Sequence, residues 1–145
     1  MRILMVTAAA MLTTAGVAAA QEVGDPEAGQ RVFNACRACH AVGEGAANKI
    51  GPELNGIIGE KPGVVDGYAF SAPFAEWAAD KPVWDAELMS TWLADPRGVV
   101  PGTKMVYPGL KNPEQLTNVI AYLATFDEAG ATRDPAEALA AAAAQ

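Results

Sequence analysis

Both cysteines of the 145-residue chain and its only histidine fall within the stretch Cys36-Arg37-Ala38-Cys39-His40. His40 stands one helical turn beyond Cys36, so at the end of a helix all three side chains can face one object. Several chemistries use such groups. A thioredoxin-like dithiol needs a βαβ context, and this sequence carries almost no strand pattern. A structural zinc site needs four ligands, and two thiolates with one imidazole fall short unless a carboxylate joins them. A Cys36–Cys39 disulfide would close a tiny loop and restrict the unfolded chain little. The remaining reading is stronger. Cys-x-x-Cys-His is the attachment signature of a c-type haem. Two thiols add across the two vinyl groups as thioethers, and the following imidazole swings under the iron. One covalent haem c, bound through Cys36 and Cys39 with His40 on the iron, is the expectation.

A single histidine supplies a single axial ligand, so the opposite face is empty, watery or held by another side chain. Beyond the first twenty residues only two methionines remain, Met89 and Met105. Met89 belongs to an amphipathic pattern, where core packing is the default. Met105 follows Val99-Val100-Pro101-Gly102-Thr103-Lys104, a turn-rich loop. A flexible thioether on such a loop suits a ligand, which favours Met105.

The elements that position these groups read as helices joined by long loops. Asp25-Pro26-Glu27 opens a helix that runs towards Cys36, with Ala28, Val32, Phe33 and Cys36 on one face and Gly29 inside it. Ser71 caps a short helix through about Ala79, and Asp85 caps another bearing Leu88, Met89, Trp92 and Leu93. Pro96 stops that helix. Asn112-Pro113 opens the strongest one, with Leu116, Val119, Ile120 and Leu123 at helical spacing. Residues 41–70 are crowded with Gly and Pro, a loop length uncommon in a compact domain unless it wraps a large bound object. Asp134-Pro135 can cap a last Ala-rich helix, but so short a segment is marginal alone, and residues 128–145 read as a mobile tail.

Residues 1–20 have a cation at Arg2, an apolar run and the small end Ala18-Ala19-Ala20. That is the pattern of a secretory signal peptide cleaved before Gln21, with an uncleaved anchor as the alternative. The run is too rich in Ala and Thr for a good membrane span, and no stable membrane insertion is expected. The formal charge is −7, and removing Arg2 leaves nine Lys and Arg against 17 Asp and Glu, a net of −8. Such an acidic chain is no nucleic-acid binder and no ligand for an anionic bilayer.

Seven pieces in order, "GDPEAGQRVFNAC", "CRACH", "GPELNGIIG", "GYAFS", "VWDAELMSTWLADP", "VPGTKMVYPGL" and "VIAYL", resemble the class I cytochrome c family of the soluble bacterial c2 or mitochondrial-like kind. The resemblance implies an all-α fold: a small cytochrome c domain over residues 21–127, with N- and C-terminal helices packed crosswise and loops wrapping the haem. It implies thioethers at Cys36 and Cys39, His40 and Met105 as axial ligands, and the Pro52 carbonyl accepting the outer His40 proton. It places Trp84 and Thr103 on the haem propionates, and Gly29 and Phe33 against the last family helix near Tyr122 and Leu123. The chain departs from the family pattern at Glu60, Phe70 and Trp92, which bear on the propionate surroundings and the potential.

An iron with both axial positions filled exchanges one electron and binds no substrate. The resemblance thus implies a monomeric electron carrier, not an enzyme, and the signal segment implies a periplasmic location. Its redox partner proteins would be a cytochrome bc1-type donor and an oxidase or photosynthetic reaction-centre acceptor. Lys49, Arg97, Lys104 and Lys111 lie in segments around the haem; they read either as ordinary solvated surface cations or as a basic ring on an acidic body. The alternatives are a haem subunit of a larger oxidase or dehydrogenase, or a ligand-binding or peroxidase-like protein if Met105 dissociates.

Overall fold

The computed structural model describes residues 23–145, and the expected signal segment lies outside the described residues. Among the described residues six helices follow in order: α1 (Pro26–Phe33), α2 (Ala72–Ala78), α3 (Ala86–Ala94), α4 (Pro96–Val99), α5 (Pro113–Ala124) and α6 (Pro135–Ala143). Among the described residues the only β pairing is an isolated bridge between Phe126 and Thr132. The all-α reading therefore holds.

Local chemistry sets the helix starts. Asp25, Ser71, Asp85, Asn112 and Asp134 each accept a hydrogen bond from a main-chain N–H of the first turn of their helix, which satisfies donors that have no intrahelical partner. These are the caps the sequence proposes. The short α4 is a difference. Pro96 ends α3 but also starts a new turn, because the Asp95 carboxylate accepts from the Gly98 N–H.

The frame is the pairing of α1 with α5. Gly29 is buried under Asn118, and a Cβ at Gly29 would run into the Asn118 carbonyl oxygen and lie 2.8 Å from the Tyr122 Cβ. The interior glycine thus lets two backbones approach closely. The contact is locked at one end by the Asp25 N–H donating to Asn118 Oδ1 at 2.8 Å. At the other end Phe33 and Tyr122 rings meet with centroids 5.3 Å apart. Val119, Ile120, Leu123 and Ala124 carry this contact into the core.

Residues 40–71 contain no helix, as expected, and their backbone is held by specific bonds. The Asn55 side chain donates to and accepts from Gly43, and the Gly51 N–H donates to the Cys39 carbonyl at 2.9 Å. Asn55 is buried and satisfied, so the latch fixes the loop rather than straining it.

The expectation of a mobile C-terminal tail is corrected. Residues 128–145 turn back through the bridge at Thr132 and dock α6 on α3 and α5, with Ala138 and Ala142 buried. A nine-residue helix is marginal alone. Tertiary packing supplies what propensity lacks.

On an exposed helix Gly→Ala gains about 1 kcal/mol. At the α1–α5 contact the sign reverses. Gly29→Ala is expected to lower stability by about 2 kcal/mol, in the range of core overpacking, read as a lower denaturant midpoint of the haem-bound protein.

Candidate functional site

α1 ends at Phe33, and the chain then coils through successive turns. The Cys36 N–H donates to the Phe33 carbonyl at 2.8 Å, and the Cys39 and His40 N–H groups both donate to the Cys36 carbonyl at 3.0 and 2.9 Å. That winding brings Cys36, Cys39 and His40 to one wall of a cavity of about 310 Å³. Its volume lies within the range of ligand sites. The two cysteines are half-buried and unbridged. Burial, and then the neighbouring Cys39, push the Cys36 thiol above its ordinary range.

His40 Nδ1 lies 2.7 Å from the Pro52 carbonyl oxygen. That oxygen can only accept, so Nδ1 carries the proton and Nε2 keeps its lone pair for a metal. Burial holds the imidazole below its usual range; the Pro52 bond opposes this and nearby Lys49 adds to it. The neutral, ligand-competent form is favoured. A Cβ on Gly51 would collide with the ring, lying 2.9 Å from both of its nitrogens. Gly51 is thus the floor under the imidazole, a role the sequence did not reveal, although the Gly51-Pro52 pair marks the turn that provides it.

Met105, from the loop after α4, lines the same cavity. The Thr103 hydroxyl accepts from the Met105 N–H at 3.3 Å, so the turn that presents Met105 is held by its own neighbour. Met89 also lines the cavity from α3, at 4% exposure. The sequence assigned Met89 to the core and missed that this part of the core faces the cavity. Trp84, Trp92, Phe70 and Phe74 complete an aromatic side, with the Trp84 and Trp92 ring centroids 6.2 Å apart.

All seven residues singled out for the cofactor, Cys36, Cys39, His40, Pro52, Trp84, Thr103 and Met105, line this one cavity. Glu60 does not. Its side chain is half-buried, and burial, followed by the Glu53 and Glu128 carboxylates, holds its carboxyl above the usual range. The departure at Glu60 therefore sits among other acids and off the cavity wall.

The donor set fits a c-type haem. Two thiols, an imidazole with a free Nε2 and a thioether line one cavity, and apolar and aromatic side chains fill the rest. Comparisons with known proteins agree. The cytochrome c family model matches residues 26–127. Cytochrome c-550 of Ancylobacter novellus is 50% identical over 105 residues, covering 72% of this chain and 98% of that protein. Cytochrome c2 of Rhodoplanes tepidamans is 44% identical over 106 residues, covering 73% and 96%. The solved structure of cytochrome c2 from Rhodospirillum centenum superposes with a TM-score of 0.68 at 33% identity, covering 72% of this chain and 99% of that one. The chain belongs to the cytochrome c family, and it carries one haem c through Cys36 and Cys39.

Gly51→Ala places a methyl group where the His40 ring stands. The expected result is a several-fold lower ratio of haem absorbance to polypeptide in the purified protein, while Gly45→Ala, strained at φ +74° but with open space around it and away from the His40 ring, keeps the wild-type ratio.

Proposed function

We propose that the chain is a soluble one-electron carrier of the periplasm whose haem iron is held between the His40 imidazole and the Met105 thioether. The observation that carries this reading is the single cavity that gathers both cysteines, the tautomer-fixed His40 and the turn-held Met105. Bound there, the haem supplies an iron that alternates between ferric and ferrous states by outer-sphere exchange of one electron.

The protein's own residues do the rest. Pro52 holds the His40 ring and strengthens its nitrogen as a ligand. Thr103 fixes the backbone that presents Met105, and a thioether at that position raises the potential. Both ligands come from segments pinned by main-chain bonds, so neither has to move when the charge on the site changes. The aromatic side formed by Phe70, Phe74, Trp84 and Trp92 keeps water from the interior, which limits solvent reorganisation. With His40 and Met105 both holding the iron there would be no open position for a substrate, which supports a carrier over an enzyme.

The mouth of the cavity suits brief docking. Ile50 and Val106 line it and are each 77% exposed. Beside them stand Lys49 and Lys104. Lys49 Nζ donates to the Arg37 carbonyl at 2.9 Å and Lys104 Nζ to the Ala69 carbonyl at 2.6 Å. Lys111 is tied in the same way to the Ala94 carbonyl. These cations are held in place by the main chain, on a protein of net negative charge. A small apolar contact ringed by fixed positive charge fits an acidic face on a redox partner and allows rapid release. The partners inferred are a cytochrome bc1-type donor and an oxidase or photosynthetic reaction-centre acceptor.

Two outcomes test this reading. Met105→Leu is expected to abolish the weak far-red band of the oxidised protein that marks an iron–thioether bond, and Met89→Leu to keep it; the reverse pattern would move the ligand to Met89. Raising ionic strength from about 0.01 to about 0.1 M, which shortens the Debye length from about 30 to about 10 Å, is expected to slow bimolecular electron transfer to an acidic partner several-fold. A flat response would remove the basic ring from the account.

A further inference from the structure

We propose that Arg133 is a positioning residue for the haem cavity: it ties the C-terminal segment to the loop at residues 56–60 and, through that loop, holds Trp84 in the cavity wall. Arg133 and α6 lie beyond the end of the family match at residue 127. The inference rests on the haem reading of the cavity given above.

The Arg133 guanidinium is half-buried and spans two distant parts of the chain. Its Nε donates to the Ala124 carbonyl at 3.0 Å, and its Nη2 donates to the Ile58 carbonyl, 75 residues away in sequence, at 2.9 Å. The first acceptor belongs to the last turn of α5, where carbonyls have no intrahelical donor. Ala124 is fully buried, so its carbonyl depends on a protein partner. The second acceptor belongs to Ile58, at 1% exposure. A planar fork with several fixed donors can serve both at once, whereas a lysine ammonium is a single point on a flexible stem. Both bonds carry the strength of a charged donor.

Arg133 is itself anchored. Its N–H donates to the Thr125 carbonyl at 2.7 Å, and the turn before it is closed by Asp127 Oδ1, which accepts from the Ala129 and Ala131 N–H groups. After it, α6 is seated through Ala138 and Ala142. The loop meets the same segment a second time. Gly56 has φ +64°, and a Cβ there would lie 3.1 Å from the Glu128 Cα, so the two backbones touch where no other residue type fits.

From Ile58 the connection to the cavity is short. The Gly59 N–H donates to the Trp84 carbonyl at 2.9 Å, and the Trp84 N–H donates to the Glu60 carbonyl at 2.8 Å. Ile57 and Trp84 both line the cavity. The loop that Arg133 grips therefore holds Trp84 by its backbone on both sides. Loosening that grip would let water reach this wall, and solvent access is one of the levers that set a metal's potential.

The test uses the full-length, haem-loaded protein and two variants, Arg133→Gln and Arg133→Lys. Native-state amide hydrogen exchange is measured at Gly59 and Trp84, with Leu116 and Val119 of α5 as internal references, and the midpoint potential is measured by redox titration. In Arg133→Gln, exchange at Gly59 and Trp84 is expected to rise at least tenfold relative to the two α5 amides, with the midpoint potential lowered. Arg133→Lys keeps the charge, reaches one carbonyl, and is expected to fall between. It also decides the matter should Arg133→Gln not fold. Uniform acceleration at all four amides, or an unmoved potential in a protein that shows a normal haem spectrum, would overturn the proposal. A colourless wild-type protein would instead overturn the haem reading and this inference with it.

Discussion

The structure depends on the covalent attachment of a haem at the apolar and aromatic cavity that Cys36, Cys39 and His40 help to line. The small core of this chain is completed by that group, whose burial against these walls takes apolar surface out of water. Two thioethers make that filling permanent. The helices, the long loops and the placement of the ligands follow from closing a chain of modest size around it.

Seen in this way, the chain divides the task. The α1–α5 contact, with Gly29 under Asn118, is a rigid hinge that delivers Cys36, Cys39 and His40 to one wall. The loops are the cofactor's shell. They run without regular structure because they follow the outline of a flat ligand, and they are held by individual bonds: Asn55 to Gly43, Gly51 to Cys39, Gly59 to Trp84. The C-terminal segment closes the far side. Ion pairs contribute little here; fixed main-chain bonds hold the basic residues near the cavity mouth, so the same contacts that order the loops also place the charges a partner would meet.

Much of this was legible in the residues. The helix starts were readable because Asp, Ser and Asn caps, four of the five with proline in the first two helical positions, leave the backbone few other choices. The cofactor was readable because the Cys36-to-His40 spacing carries a specific covalent chemistry. Met105 stood out from Met89 by its loop, although Met89 proved to face the same cavity; burial in a core and exposure to a cofactor look alike in a helical pattern. Two features were hidden. Gly51 supports the His40 ring through space, and a loop glycine carries no mark of what lies above it. The tail looked weak because its alanines bury little area individually. Its order comes from Arg133 and the Thr132 bridge, long-range contacts that no local pattern announces.

The most direct measurement is the visible spectrum of the reduced native protein before and after exposure to carbon monoxide. The account predicts the sharp bands of a low-spin c-type haem, unchanged by the gas, because the proposed His40 and Met105 ligands would leave the iron no open position. A colourless protein, or a rapid spectral shift on adding the gas, would contradict it.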